Sequence, residues 1–200
     1  TAYVTINFTG VQPFDFTYDS LPGKSRNVTG WLSNTFVIPI SGIGTWLYKV
    51  SNVTNGNNCS NVGTGVARIV IHPKPSGIMS IAQSNYCTGT TAAVSIALTG
   101  TAPWTFSYNN PALVANPPTS VNPFLINETA IGSYTYFLNT LITDKNGCSN
   151  LGSGTSNFTI HPLPTATVSG TDSACFGTTK NVSIALTGTA PWYITYDSAG

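Results

Sequence analysis

Val182-Ser-Ile-Ala-Leu-Thr-Gly-Thr-Ala-Pro-Trp192 repeats, residue for residue, the stretch Val94-Ser-Ile-Ala-Leu-Thr-Gly-Thr-Ala-Pro-Trp104, 88 positions earlier. A divergent third copy opens the chain as Val4-Thr-Ile-Asn-Phe-Thr-Gly-Val-Gln-Pro-Phe14 and runs on to Thr17-Tyr18-Asp19-Ser20. The last copy ends in Thr195-Tyr196-Asp197-Ser198. Self-similarity at a fixed period marks a tandem array, in which each unit is one packed module. The 200 residues therefore divide into a first repeat over 1–75, a complete second repeat over 76–164 and the opening of a third over 165–200. The later copies carry more sequence ahead of the motif, so repeat 1 is expected to lack its own first strand, upstream of Thr1.

Working outward from the motif, apolar and polar residues alternate with the period of a half-buried strand, as in Val4, Ile6 and Phe8 against Thr5, Asn7 and Thr9. Asn34-Thr-Phe-Val-Ile38 and Asn122-Pro-Phe-Leu-Ile126 form a matching pair, each leading to Ile-Gly. The strands that follow, from Trp46 and from Tyr134, end in Asn55-Gly-Asn-Asn-Cys59 and Asp144-Lys-Asn-Gly-Cys148, whose Asn and Gly supply hairpin turns. Closing strands are expected over 64–71 and 155–160. The stretches 19–33 and 109–121 differ between units and read as variable loops.

Each unit closes on a junction, Ile71-His-Pro-Lys-Pro75 and Ile160-His-Pro-Leu-Pro164. Two prolines one residue apart fix φ and remove amide donors, which makes a short, stiff connector. New strands begin after it, at 78–81 and 166–168. No segment has helical periodicity or a capping box. About seven short strands per unit with turn chemistry between them give an all-β fold of tandem immunoglobulin-like sandwiches. Phe14, Trp104 and Trp192 recur at the start of the third strand and are expected in the core, not as ligand-stacking surfaces. Tyr134 or Tyr136 is placed to form a tyrosine corner.

Composition excludes several functions. Charged residues are 6% of the chain and the net charge is +1, so nothing draws it to nucleic acid or acidic lipid. No run of eighteen apolar residues and no signal peptide occur; targeting signals would sit at the ends of a parent chain. His72 and His161 occupy the same place in each junction and read as structural spacers. The six acidic residues form no calcium loop, and no nucleophile motif or phosphate loop is present. Neither an enzyme, a metal site nor a cofactor is expected.

Cys-x-Gly-Thr-Thr leading into Val-Ser-Ile-Ala-Leu-Thr-Gly-Thr-Ala-Pro-Trp, Asn-Gly-Cys before the last strand and His-Pro-x-Pro between units together resemble the Ig-like repeats of very large Bacteroidota cell-surface adhesins. The resemblance spans the whole chain; repeat 1 departs from it with Val11-Gln12 and Phe14. It implies an extracellular location, type IX secretion, and a stalk role in adhesion or gliding. The partners implied are neighbouring repeats, surface glycans or the secretion and motility machinery. A glycan- or protein-binding module and a laterally assembling fibre subunit are the alternatives. Asp19-Ser20-Leu21, Asp172-Ser173-Ala174 and Asp197-Ser198-Ala199 resemble acceptors for periplasmic O-glycosylation, which makes Ser20, Ser173 and Ser198 candidate sites. Glycans there would compensate for the scarcity of surface charge.

A surface location implies an oxidising compartment and disulfides. Each full repeat carries one cysteine before its second strand (Cys87, Cys175) and one after its sixth (Cys59, Cys148). In an Ig topology these lie at opposite poles, roughly 25 Å apart over a strand of seven or eight residues, whereas a disulfide needs Cα atoms within about 7 Å. The expected scheme is staggered, with the first cysteine of each unit paired to the second cysteine of its successor. Pairing of Cys87 with Cys148 inside one unit is the alternative.

Overall fold

A computed structural model describes residues 1–21, 23–110 and 112–197, and these contain nineteen β-strands and no helix. The chain forms two compact units, Thr1–Lys74 and Pro75–Gly200.

The second unit shows the complete pattern. Its strands are β8 (Gly77–Ile81), β9 (Asn85–Cys87), β10 (Ala92–Leu98), β11 (Trp104–Asn110), β12 (Ala112–Thr119), β13 (Phe124–Glu128), β14 (Gly132–Phe137), β15 (Leu141–Thr143), β16 (Ser149–Leu151) and β17 (Thr155–His161). One sheet has the order β13-β10-β8. The other runs β16-β15-β11-β14-β17-β9, with β12 paired to the outer side of β11. The inward residues of both sheets fill one core: Val94 and Ile96 from β10, Trp104 and Phe106 from β11, Tyr136 from β14 and Phe158 from β17. Each buried aliphatic of this kind contributes roughly 1.5–3 kcal/mol. The chain enters the first sheet as β8 and crosses to the second as β9, which lies parallel to β17 with Cys87 opposite His161. Two sheets, a first strand shared between them and the order of the inner strands define an immunoglobulin-like sandwich.

The first unit repeats this order with β1 (Ala2–Asn7), β2 (Phe14–Leu21), β3 (Lys24–Trp31), β4 (Thr35–Ile40), β5 (Gly44–Thr54), β6 (Ser60–Asn61) and β7 (Ala67–Ile71). Here, among the described residues, β1 pairs only with β4, while β3, β2, β5, β6 and β7 form the opposing sheet. Phe14, Phe16 and Tyr18 alternate inward along β2, and Phe14 stacks on Phe8 at a centroid distance of 5.0 Å. Beyond the second junction, β18 (Ala166–Ser169) pairs antiparallel with β19 (Ser183–Leu186).

Two expectations change. The stretches 19–33 and 109–121 are not loops: most of each lies in β2–β3 or β11–β12, hairpins that end in an edge strand. Gly30 and the Pro117-Pro118 pair hid these strands, because both residue types usually break a ladder. At an edge only one side needs donors, so proline is tolerated and also blunts the edge against aggregation. The additional strand β9 was hidden by its length of three residues.

Candidate functional site

The repeated residues converge on pins that hold loops against the sandwich. Trp104 is 5% exposed and donates from Nε1 to the Thr99 carbonyl at 2.9 Å. Trp192 makes the same bond to Thr187 at 3.0 Å, although it stands 41% exposed. Among the described residues only β18 and β19 of its repeat are present around it. Phe14, with no N–H to offer, is fully buried instead.

A second pin sits before each cysteine-bearing turn. Asp144 is 5% exposed, and its Oδ1 accepts the amides of Asn146 (2.9 Å) and Cys148 (3.1 Å). Its Oδ2 accepts the Thr101 amide at 3.3 Å, which ties the turn to the Gly-Thr-Ala-Pro loop. Burial works against the carboxylate, but the amides of Thr101, Cys148 and Asn146 outweigh it and hold the carboxyl below its ordinary range. In the first unit Asn55 does the same work, accepting from Asn57 (3.0 Å) and Cys59 (3.1 Å). In sequence Asp144 is marked only as a turn residue, and its counterpart Asn55 at the matching position is the signal for this wider role.

The Cys-x-Gly-Thr motif is a turn. Thr90 returns its amide and hydroxyl to the Cys87 carbonyl at 3.1 and 2.7 Å, and Thr178 does so to Cys175 at 3.1 and 2.8 Å. Gly89 and Gly177 carry the positive φ, +93° and +86°, that this turn requires. All four cysteines are free thiols. Cys87 lies beside His161 at the end of β17, whereas Cys148 immediately precedes β16 at the opposite pole.

His161 contacts Asn85 Oδ1 through Nε2 at 2.9 Å, and its carbonyl accepts from the Thr88 amide and hydroxyl. Its contacts belong to the attachment of β9; His72 is exposed. Tyr134 forms the corner, with its hydroxyl donating to the Ala130 carbonyl at 3.0 Å. Tyr136 is buried and donates to Glu128; burial first, then that bond, raises its hydroxyl well above the usual phenol range. Of the candidate glycosylation sites, Ser20 lies near the end of β2 and donates to the Lys24 carbonyl at 3.2 Å. Ser173 is exposed beside the Asp172–Lys180 ion pair of 2.7 Å. Ser198 falls outside the described residues. Among the described residues no three His, Cys, Asp or Glu side chains group to hold a metal ion, and no helix is long and apolar enough to cross a membrane.

No protein-family model and no curated protein matches the sequence. Solved structures with a likeness include the fibronectin(III)-like modules of Clostridium thermocellum CbhA, with a TM-score of 0.31 at 10% identity, covering 80% of this chain and 86% of that one. The N-terminal eight Ig domains of the Down Syndrome Cell Adhesion Molecule score 0.35 at 12% identity, covering 84% of this chain and 25% of that one. The ectodomain of mouse nectin-like molecule 4 scores 0.30 at 13% identity, covering 80% and 55%. Likenesses this distant carry no argument about activity, and the fold rests on the strand order above. By that order the chain is a tandem array of immunoglobulin-like β-sandwich repeats.

Proposed function

We propose that the chain is a spacer segment in the stalk of a long cell-surface adhesin, exported by a type IX route and serving attachment or gliding. The observation that carries this reading is what the repeats preserve. The residues held in common, Trp104 with Trp192, Asp144 with Asn55 and the Cys-x-Gly-Thr turns, are loop pins, and each serves the sandwich itself. The repeated motif's resemblance to Bacteroidota surface adhesins supports the extracellular assignment. In this reading 1–75, 76–164 and 165–200 are successive domains. The cysteines pair in the staggered scheme between successive units, and Ser20, Ser173 and Ser198 carry O-linked glycans.

Small-angle scattering of recombinant proteins with one, two and three complete units tests the spacer role. The expected result is a maximum dimension that grows by a constant step per unit; a compact particle of three units overturns it. Glycopeptide mapping of native material is expected to show modified peptides at the three serines, and unmodified peptides at all of them remove that part of the proposal.

A second reading has one observation in its favour. The edge strands β3 and β12 share almost no sequence although they occupy the same place in the fold. Variation on a constant scaffold suits recognition of a glycan or protein, and strand-swapped chimeras on a glycan array distinguish this reading from the spacer.

A further inference from the structure

The larger sheet of the second unit turns an apolar patch to solvent. Along β11, β14 and β15 the side chains of Phe106, Tyr108, Tyr136 and Ile142 point into the core, so the alternate residues Ser107, Asn109, Phe137 and Leu141 point outward. Leu141 stands opposite Leu151 of β16. Phe137 stands opposite Asn109, which is in turn opposite Leu113 of β12. Leu113, Leu141 and Leu151 are 65%, 62% and 60% exposed, and Phe137 is 39% exposed. Single exposed apolar residues need no explanation, but neighbours on one sheet face form a patch. β11, β12, β14, β15 and β16 contain no charged residue.

The first unit shows that the fold itself does not require this patch. There the row Leu113, Asn109, Phe137 is replaced, in the same register, by Ser25, Asp19 and Lys49. Lys49 Nζ lies 3.7 Å from Asp19 Oδ2, and Ser25 Oγ donates to Asp19 Oδ1. Asn52 takes the place of Leu141: two residues on, Thr54 pairs with Ser60 as Thr143 pairs with Ser149. The core beneath is alike in both units, with Tyr18 and Tyr48 where Tyr108 and Tyr136 lie. One scaffold carries a solvated ionic face in one unit and an apolar face in the other. The apolar residues therefore serve a contact outside the sandwich.

We propose that this face of the second unit docks on the same face of a second copy of the chain. A face without charge is compatible with itself, because two copies bring no like charges together and bury no ion. Its Thr, Ser and Asn side chains both donate and accept, so they can pair with their own counterparts. Edge-to-edge pairing is hindered, because Pro117 and Pro118 remove donors from the edge strand β12. Face-to-face stacking remains, with the two sheets about 10 Å apart. Both copies use one patch, so the contact is isologous and closes at two chains. The Asp19–Lys49 pair would lose its water in such a stack, which excludes the first unit. Four strands about 4.8 Å apart and four or five residues of about 3.3 Å give a footprint of roughly 300 Å² per copy. A stable complex buries about 800 Å² per partner, so this pairing is weak and reversible. It goes beyond the spacer role, since a spacer needs no apolar face.

Sedimentation equilibrium of the 200-residue chain in reducing buffer, from low micromolar to millimolar concentration, tests this. The expected result is a mass that rises from the 21.0 kDa of one chain and levels off toward twice that value. Phe137→Lys and Leu141→Asn copy Lys49 and Asn52, and each is expected to weaken association at least roughly tenfold. Leu125→Asn, exposed on the outward face of the opposite sheet, is expected to leave it unchanged. In the unmodified chain, the backbone amide resonances of Phe137, Leu141 and Leu151 are expected to shift with concentration while those of residues 93–97 stay fixed. A chain that stays monomeric at millimolar concentration, or association that Leu125→Asn weakens as much as Phe137→Lys, overturns the proposal. Patch resonances that move with a neutral oligosaccharide such as cellohexaose, and not with chain concentration, assign the face to a glycan and overturn it equally.

Discussion

The Tyr134 hydroxyl donates to the Ala130 carbonyl at 3.0 Å, and in the first unit Trp46 Nε1 donates to the Gly42 carbonyl at 2.8 Å. Two unrelated side chains thus close the same turn by the same bond. A Cβ on Gly42 would come 2.9 Å from the Trp46 ring, so the larger aromatic is accommodated by the smaller residue four positions before it. Tyr134→Phe removes the bond and keeps the ring. It is expected to cost the second unit about 1 kcal/mol, read as a lower urea midpoint at unchanged slope.

The third-strand aromatic gives a graded test. Trp104→Phe reproduces the first unit's residue and loses the bond to Thr99, for an expected cost of about 1–2 kcal/mol. Trp104→Ala leaves a cavity in the core as well, and about 3–5 kcal/mol is expected. The reverse change, Phe14→Trp, inserts volume against Phe8 in a fully buried position and is expected to destabilise by about 1–3 kcal/mol. Denaturant titration of each variant reads all three.

The alternation of β1, β2 and β10, the turns before Cys59 and Cys148 and the junction prolines were legible because each is a local pattern with a local cause. The edge strands β3 and β12 were not, since their residues face solvent and carry no burial period. Asp144 was legible as a turn residue, but its bond to Thr101, 43 positions away, depends on the folded loop.

Asp144 predicts a pH dependence. Its carboxyl sits below the ordinary value in the folded state, so its contribution is present above the unfolded pKa, about 3.9, and is lost as pH falls through the folded one. Asp144→Asn, which copies Asn55, is expected to be less stable than the wild type at neutral pH. The gap should close as the solution is acidified toward pH 2. Urea midpoints of the two proteins across that range check it, and a gap that widens in acid contradicts the assignment.

The cysteines give a chemical test. Cys59, Cys87 and Cys175 are exposed and Cys148 is half-buried. All four are expected to react with a thiol reagent without denaturant in the reduced 200-residue chain. Because Cys87 and Cys148 lie at opposite poles, oxidation of dilute chain is expected to yield no peptide linking these two within one unit. Non-reducing peptide mapping checks this, and recovery of that link contradicts the opposite-pole placement and with it the staggered scheme.

The central claim is that successive repeats are independently folded spacers of one length, and mechanical unfolding of a single molecule tests it most directly. A polyprotein of tandem copies of residues 76–164 pulled from its ends is predicted to give an even sawtooth. One peak is expected per copy, each releasing about 28–30 nm, the extended length of 89 residues at about 3.6 Å each less the folded span. Irregular increments, or extension without discrete peaks, would contradict the account.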